Sequence, residues 1–597
     1  MSVHDHHDLG YRRHPARGGS APAFGGVAAA LARWAGSAMW QVEHAFERAR
    51  ADGRPEEDTR VRIFLILALF MAVFACLTVG AAHAALMGPK GGSGLGANRG
   101  ALARADLVDR NGRLLATNIT HYGLYIDPRE VWDRAAAKAQ LRRALPRLSA
   151  ARLDRVLNGE RRLVVLNGLT PTERSAVHAL ALGGVTFEPE DRRVYPLGSS
   201  AVHLIGRADT GGKGIAGAEL AFDEGIRAAG AAGEDFQLSI DLRVQGVVEN
   251  ELAAAAEKEG AKGAIAVVTD VQTGEVLAMA SWPTYDANRR NAAPEEATLN
   301  RVTSAHYEMG SVFKSFTVAA GIDTGRADMN TLFDASQALQ IGNRRIKDFH
   351  ATNKVLTLEE VYLHSSNIGT SRLAVEMGGG VMRDYFQRLG LLDAAPIELK
   401  ESARPSRIRK WDDSTLASLS FGYGIMVTPL QAVAAYGALA NGGRYVPLTL
   451  RKGGLPNAPT RQVVSPETSA TMLDLMRRNV TRGSGGFANA PGLRVGGKTG
   501  SANKLVNGRY QATSAVGSFA AVFPADGPVT AKRYAIFVLV DEPSFFPRTG
   551  GYVAAPAVGR IADRIAPFLG VERKADRWST ALGEKIPEFQ DVEGDGR

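Results

Sequence analysis

Residues 309–316 read Met-Gly-Ser-Val-Phe-Lys-Ser-Phe, which places Ser311 and Lys314 three positions apart at the start of an apolar run. Residues at this spacing share one face of a helix, so the amine would lie within reach of the hydroxyl. A serine hydroxyl becomes a good nucleophile only when a base takes its proton, which predicts Ser311 as the nucleophile and Lys314 as its base. Lys314 must then be neutral part of the time, and burial or a second nearby positive charge would lower its pKa in that direction.

Two further short patterns follow in the chain. Ser365-Ser366-Asn367 lies within a long helical stretch, and Lys498-Thr499-Gly500 lies on an apolar segment typical of a strand. We expect Ser365 to relay a proton between the lysine pair and a departing amine, and Asn367 to hold the substrate backbone through its amide. The alternative for the first pattern is ordinary helix-cap or turn chemistry.

The strand pattern supplies the remaining groups of the predicted site. Lys498 and Thr499 would hold a terminal carboxylate of the substrate by charge-assisted hydrogen bonds. Gly500 would keep the strand edge open, and the backbone N–H groups of Ser311 and Ser501 are the natural oxyanion hole.

Each pattern alone is weak. A second Ser-x-x-Lys occurs at Ser501-Ala-Asn-Lys504, so chance occurrences must be expected. The three patterns nevertheless appear in one order, on a helix start, a helical connection and a strand. This is the Ser-x-x-Lys, Ser-x-Asn and Lys-Thr-Gly set of penicillin-binding proteins and class A β-lactamases.

The apolar segments around the helical middle predict a mixed α/β fold. Two strand-like segments precede the middle and three follow it, which favours an antiparallel five-stranded sheet covered by helices. These segments are 263–270, 275–281, 493–500, 514–523 and 534–541.

Residues 63–87 form the most hydrophobic stretch and are long enough to cross a bilayer as a helix. About sixty residues precede it, which favours an uncleaved signal anchor over a cleaved signal peptide. Five arginines between positions 48 and 62 predict a cytoplasmic tail over residues 1–62, with everything after the span exported. The Ala82-His83-Ala84 segment leaves cleavage open as an alternative.

The remaining bulk properties exclude several classes of protein. The formal net charge is +9, but the basic residues are scattered without interleaved aromatic side chains, so we expect no nucleic-acid binding. Cys76 is the only cysteine, and it falls in the apolar stretch, so no intramolecular disulfide can form. We expect no cofactor and no metal, since the His4-Asp5-His6-His7 cluster lacks a second ligand set.

The sequence resembles the class B penicillin-binding proteins from about Arg99 to Gly570. The resemblance implies a non-catalytic pedestal (dimerisation-type) domain over 88–235, a transpeptidase domain over 236–570 and a tail over 571–597. The pedestal motifs that carry it are Arg99-Gly100 with Leu107 to Gly112, Arg193-Val-Tyr-Pro196, His203-Leu-Ile-Gly206 and Gly214 to Glu219. The activity implied is cross-linking of peptidoglycan stem peptides through an acyl-enzyme, with covalent inhibition by β-lactams.

Within that class, Tyr307 to Ser311 and Gly551 to Pro556 look like the septal enzymes of cell division; elongation enzymes usually have proline before the glycine. The resemblance implies the septal glycan polymerase and other division proteins as partners, and an inner-membrane location with the catalytic domain in the periplasm. One departure is Asp286-Ala287-Asn288, where the family often has Asn-Pro-Asn.

Three other functions stay open from the residues alone. An elongation-specific transpeptidase would share every motif. A serine β-lactamase or D,D-carboxypeptidase would share the nucleophile but pass the acyl group to water, and Glu359 or Glu360 could be the base that this needs. A non-catalytic scaffold or antibiotic sensor could keep the fold without the reaction.

Overall fold

The computed structural model describes residues 40, 44, 47, 51, 63, 65–78, 104–342, 344–506 and 508–574. The chain forms two compact units, residues 1–95 and 96–597. In the first unit residues 65–78 are helical with exposed side chains. Within the described ranges, no helix is both long and apolar enough to cross a bilayer. The described residues leave out the rest of the predicted span and most of the tail before it. They also leave out residues 88–103, which include Arg99-Gly100, and residues 575–597.

The second unit begins with the pedestal, where three helices cover one face of a small sheet and enclose an apolar core around Leu124, Leu141 and Leu153. Strand β4 pairs antiparallel with β2, and β1 pairs parallel with β7, so the start and end of the pedestal meet. The strands are β1 (Leu107–Val108), β2 (Leu114–Ile126), β3 (Leu163–Leu169), β4 (Val185–Val194), β5 (Arg207–Ala208), β6 (Gly214–Ala216) and β7 (Phe236–Gln237). The helices are α1 (Arg134–Ala144), α2 (Ala150–Leu157), α3 (Pro171–His178), α4 (Val202–Ile205), α5 (Gly217–Ala221) and α6 (Asp223–Ala232).

The turn between β1 and β2 contains Asn111 and Gly112. The Asp109 carboxylate accepts hydrogen bonds from the backbone N–H groups of Asn111 and Arg113, both at 2.8 Å, and Gly112 takes the positive φ of +80° that this turn requires. Asp109 also accepts the N–H of Leu242 at 3.0 Å. The same carboxylate therefore ties the pedestal to the first helix of the catalytic part.

A buried ion-pair cluster joins the pedestal motifs. Glu219, which has no solvent exposure, accepts from Nε of Arg104 and Nε of Arg193, each at 2.7 Å. Arg104 also pairs with Asp223. The sequence predicts Arg99-Gly100 as the opening motif, whereas Arg104, five residues further on, is the residue that contacts Glu219 together with Arg193.

The catalytic part is built on the predicted antiparallel five-stranded sheet, in the order β16-β17-β18-β8-β9. Its strands are β8 (Gly263–Asp270), β9 (Val276–Trp282), β10 (Leu332–Asp334), β11 (Leu339–Ile341), β12 (Arg344–Ile346), β13 (Val355–Thr357), β14 (Arg444–Tyr445), β15 (Arg461–Gln462), β16 (Gly496–Val506), β17 (Arg509–Phe523) and β18 (Tyr534–Asp541). Its helices are α7 (Leu242–Lys258), α8 (Glu295–Thr298), α9 (Arg301–Ser304), α10 (Lys314–Asp323), α11 (Leu358–Leu363), α12 (Asn367–Arg388), α13 (Asp413–Leu419), α14 (Pro429–Ala440), α15 (Pro466–Arg482), α16 (Gly550–Val553) and α17 (Ala555–Leu569).

Both faces of this sheet are covered. Along β18, alternate residues enter two separate apolar cores: Phe537 and Leu539 join the core under the helical middle, whereas Ile536 and Val538 join the core formed with α7 and α17. This alternation is the period of two expected for a strand. Strand β16 forms one edge, and β16 and β17 continue beyond the sheet as a hairpin that the sequence segments at 493–500 and 514–523 did not include.

Candidate active site

Ser311 lies in a 3₁₀ turn, Gly310–Phe313, immediately before helix α10. Gly310 has a φ of +56°, and a Cβ atom there would be 2.3 Å from the carbonyl oxygen of Ser501. Only glycine fits so close an approach to another backbone. The turn is therefore packed directly against β16, which brings Ser311 to the strand that carries Lys498.

Lys314 is the first residue of α10, and its side chain is completely buried. Its Nζ atom donates to the backbone oxygen of Ser365 and, at 3.1 Å, to Ser365 Oγ. Burial lowers the pKa of Lys314 well below its ordinary value, the positive charge of Lys498 lowers it further, and Asp348 opposes the shift. These are the two causes that the sequence predicted for a lysine able to act as a base.

Lys498 is also completely buried, and burial lowers its pKa to about 7. Its Nζ atom lies 3.3 Å from Thr499 Oγ1 and 5.8 Å from the centre of the Tyr362 ring. Both amines are buried, and the charge of Lys498 lowers the pKa of Lys314 in addition to the effect of burial. The structure thus brings the amine of Lys314 to Ser365 and packs the turn that carries Ser311 against β16, the strand that carries Lys498.

The Ser365-Ser366-Asn367 segment forms the corner between α11 and α12. Ser365 has a φ of +55°, and Ser366 caps α12 by accepting the N–H of Gly369 at 3.0 Å. The Asn367 side-chain amide donates to the backbone oxygen of Lys347 at 2.9 Å. Cap chemistry and the predicted site therefore occur at the same corner, on adjacent residues.

Asp348 fixes this corner from outside the motif. Its carboxylate accepts the hydroxyl of Ser366 at 2.8 Å and the N–H of Ile368 at 3.0 Å. Sequence reasoning missed Asp348, because an isolated aspartate in an irregular segment carries no pattern.

The rest of the strand motif lies along the edge of β16. Thr499 Oγ1 is 2.9 Å from Ser484 Oγ. Like Asp348, Ser484 is a residue of this region that the sequence did not indicate. A Cβ atom at Gly500 would be 2.4 Å from the carbonyl oxygen of Met309, so this glycine permits the close approach of the Ser311 segment. Ser501 Oγ accepts the N–H of Gly550 at 3.0 Å.

The second Ser-x-x-Lys pattern has a different setting. Ser501 and Lys504 lie on a strand, where i and i+3 point to opposite faces. Lys504 pairs with Asp541 at 2.9 Å and with Glu542 at 2.7 Å, and these contacts raise its pKa against the effect of burial. A cationic, ion-paired lysine is unsuited to act as a base.

The two glutamates considered as bases for hydrolysis are both engaged elsewhere. Glu359 Oε1 accepts from Arg478 Nη1 at 2.9 Å. Glu360 closes a capping box at the start of α11 with Thr357. Neither contact involves the Ser311 turn.

Comparison with known proteins places this geometry in a family. Residues 264–563 match the penicillin binding protein transpeptidase domain, and residues 101–220 match the penicillin-binding protein dimerisation domain. The chain is 52% identical to the probable peptidoglycan D,D-transpeptidase FtsI of Caulobacter vibrioides, over 94% of this chain and 97% of that protein. It is 31% identical to the peptidoglycan D,D-transpeptidase FtsI of Escherichia coli K12, over 79% of this chain and 85% of that protein.

A solved structure shows the same architecture. Penicillin binding protein 3 of Mycobacterium tuberculosis, in complex with aztreonam, superimposes with a TM-score of 0.63 at 26% identity, covering 79% of this chain and 97% of that one. The fold is therefore the mixed α/β penicillin-binding transpeptidase fold. With a pedestal joined to that fold, and with relatives of such identity along nearly its whole length, the chain belongs to the class B penicillin-binding proteins.

Proposed function

We propose that the chain is a peptidoglycan D,D-transpeptidase that cross-links stem peptides through an acyl-enzyme on Ser311. One observation carries the proposal: Lys314, three residues after Ser311, is completely buried with its amine on Ser365 and its pKa lowered. A buried lysine whose pKa is lowered in this way can serve as the base that a serine nucleophile needs.

Acylation begins at the hydroxyl of Ser311. Neutral Lys314 takes the hydroxyl proton of Ser311 as Oγ attacks the carbonyl carbon between the two D-alanines of the donor peptide. The resulting oxyanion is stabilised by the backbone N–H groups of Ser311 and Ser501, a contribution typically of about 3 kcal/mol per donor. The C–N bond breaks, and Ser365 relays the proton from Lys314 to the departing amine of D-alanine.

The acceptor reaction reverses the direction of proton flow. The amine of a second stem peptide attacks the ester carbonyl of the acyl-enzyme and loses a proton through Ser365 to Lys314. The C–O bond to Ser311 breaks, and its oxygen regains a proton. During acylation Lys498 and Thr499 hold the terminal carboxylate of the donor, which then leaves with D-alanine. Asn367 orients the donor backbone in both halves.

A β-lactam enters the same first step. The leaving nitrogen of its ring stays attached to the acyl group, so attack by Ser311 opens the ring and leaves a covalent adduct. The relative solved with aztreonam supports this inhibition for the present chain.

The septal role rests on the two relatives named FtsI. We propose the division septum as its place of action, with the septal glycan polymerase and other division proteins as partners. The segment at 63–87 would be its single membrane anchor, residues 1–62 its cytoplasmic tail, and 88–235 and 236–570 its pedestal and transpeptidase domains in the periplasm.

Hydrolytic alternatives have less support. A β-lactamase needs a base that activates water, and the two glutamates considered for this are held by Arg478 and by the α11 cap. An elongation role or a non-catalytic scaffold would share the fold, so activity must be measured.

The test uses the purified exported portion with a fluorescent penicillin and a D-Ala-D-Ala donor. We expect one long-lived adduct that maps to Ser311, release of D-alanine, and cross-linked product when an acceptor is present. Ser311→Ala should fold and remain unlabelled. Labelling that survives Ser311→Ala and disappears in Ser501→Ala would show that Ser501, and not Ser311, is the nucleophile. Rapid turnover of the adduct would indicate a β-lactamase.

A further inference from the structure

Glu308 lies three residues before Ser311 and connects three segments around it. One carboxylate oxygen, Oε1, accepts two hydrogen bonds: from the backbone N–H of Gly424 at 2.7 Å and from the hydroxyl of Tyr510 at 2.9 Å. Gly424 belongs to the loop 421–427 that precedes α14. Tyr510 lies on the end of the β16–β17 hairpin, residues 503–511, which we call the outer hairpin. One side chain therefore links the nucleophile segment to both neighbours.

The loop is also joined directly to the nucleophile segment. Tyr307 and Val427 exchange backbone hydrogen bonds of 3.0 and 3.1 Å. Gly422, with a φ of +80°, packs so closely on the backbone of Gly310 that a Cβ atom would be 2.3 Å from the Gly310 oxygen. The loop thus has several attachments to the Ser311 turn.

The outer hairpin is attached by fewer contacts. The N–H of Asn503 donates to the hydroxyl of Tyr423 at 3.0 Å, and the rings of Tyr423 and Tyr510 meet edge to face with centroids 5.2 Å apart. The register between β16 and β17 shifts between Asn503 and Lys504, next to the hydrogen bond from Asn503 to Tyr423. The Tyr510 to Glu308 hydrogen bond is the contact that returns it to the nucleophile segment.

The Glu308 carboxylate is costly to hold in this place. Its second oxygen, Oε2, is buried and has no hydrogen-bond partner within the described part of the chain, and burial raises the pKa of the group. Leaving a buried acceptor without a hydrogen bond reduces stability, so stability alone does not explain a carboxylate at this position.

We propose that Glu308 is a positioning residue that fastens the outer hairpin and the 421–427 loop to the Ser311 segment, and so fixes the width of the slot between Ser311 and β16. This inference rests on the proposed function, because it concerns the same slot. Without the carboxylate, the hairpin keeps the ion pairs of Lys504 with Asp541 and Glu542 but loses its link to the nucleophile segment, and the donor carbonyl is held less well against the nucleophile. A small misplacement of the reacting atoms is enough to slow acylation strongly.

The first test is the second-order rate of acylation by a fluorescent penicillin. Glu308→Ala should lose about 10- to 100-fold and Tyr510→Phe about fivefold, whereas Glu308→Gln, which keeps one acceptor oxygen, should stay within about threefold of wild type. The double variant Glu308→Ala with Tyr510→Phe should be no slower than Glu308→Ala alone, because the two residues act through one contact. Tyr125→Phe, which removes a hydroxyl in the pedestal, is the matched control and should react like wild type.

The second test follows the hairpin itself by amide hydrogen exchange over residues 503–511. Exchange should quicken in Glu308→Ala and Tyr510→Phe and not in Glu308→Gln. Unchanged exchange in Glu308→Ala, or losses of acylation rate that add up in the double variant, would overturn the positioning role of Glu308. A wild-type protein that is not labelled by penicillin would instead contradict the proposed function, and the exchange measurement would still test the positioning role.

Discussion

Nζ of Lys314 lies 3.1 Å from Oγ of Ser365, inside a region that also holds the buried amine of Lys498. Burial and the charge of Lys498 favour the neutral form of Lys314, and a hydroxyl between a base and a substrate can move a proton without a water molecule.

The hydroxyl of Ser365 should matter for rate far more than for folding. Ser365→Ala should slow acylation by about 10²- to 10⁴-fold, the usual contribution of a positioned proton-transfer group. Ser365→Gly should be equally slow but more stable than Ser365→Ala, because Ser365 has a φ of +55°. Penicillin labelling and thermal unfolding of the two variants check this; near wild-type labelling of either one would exclude the relay.

The two lysines predict a bell-shaped pH profile for acylation. As pH falls through the lowered pKa of Lys314, the base becomes protonated and the rate drops. As pH rises above about 7, Lys498 loses its charge in the free enzyme and binds the donor carboxylate less well. Rates measured from pH 5 to pH 10 should show both limbs. In Lys498→Arg the alkaline limb should disappear, since a guanidinium stays charged; a limb that persists would assign it to another group.

Lys498 should also reduce stability. Its pKa is about 7 when folded against 10.5 when exposed, so the unfolded chain binds more protons between these values. The penalty is therefore full below pH 7 and disappears as pH rises towards 10.5. Lys498→Met should be more stable than wild type by roughly 2–4 kcal/mol at pH 7 in chemical denaturation, with the difference fading at high pH. An equal stability at pH 7 would contradict the burial of this charge.

The sequence predicts the parts of this site that are encoded in short local patterns, and it does not predict the parts that depend on contacts between distant residues. Ser311, Lys314 and Lys498 stand in short patterns whose spacing has a chemical reason, and β8 and β18 have the predicted bounds because both strands are continuous apolar runs. Asp348 and Glu308 act through contacts made at a distance in the chain, which no local pattern encodes. The outer hairpin was missed because its polar residues face solvent on one side and so lack an apolar run.

Asp348 should control the geometry of the Ser365 corner. Asp348→Asn weakens the contacts to Ser366 and to the N–H of Ile368, so we expect about tenfold slower acylation and a loss of about 1–2 kcal/mol in stability. Asp334→Asn is the control, because that exposed carboxylate likewise accepts from a nearby serine hydroxyl, that of Ser336. Equal behaviour of the two variants would show that Asp348 has no special part.

The pedestal cluster should affect stability and not chemistry. Glu219→Gln leaves Arg193 buried without its anion and leaves Arg104 paired with Asp223 alone, and breaking a buried pair typically costs about 3–5 kcal/mol. The folded fraction should still acylate at the wild-type rate. Denaturation curves and labelling at low temperature check both parts, and a slower rate in fully folded protein would show that the pedestal influences the slot.

The pairing of β8 with β18 sets the order of events when the protein is made. Ser311 and Lys314 are synthesised well before Lys498. The edge of β8 that pairs with β18 stays unpaired until residues 534–541 have been synthesised. Closing contacts so far apart in sequence is slow. Chemical competence therefore comes last, so a truncated or half-made polypeptide carries the nucleophile but lacks the means to use it.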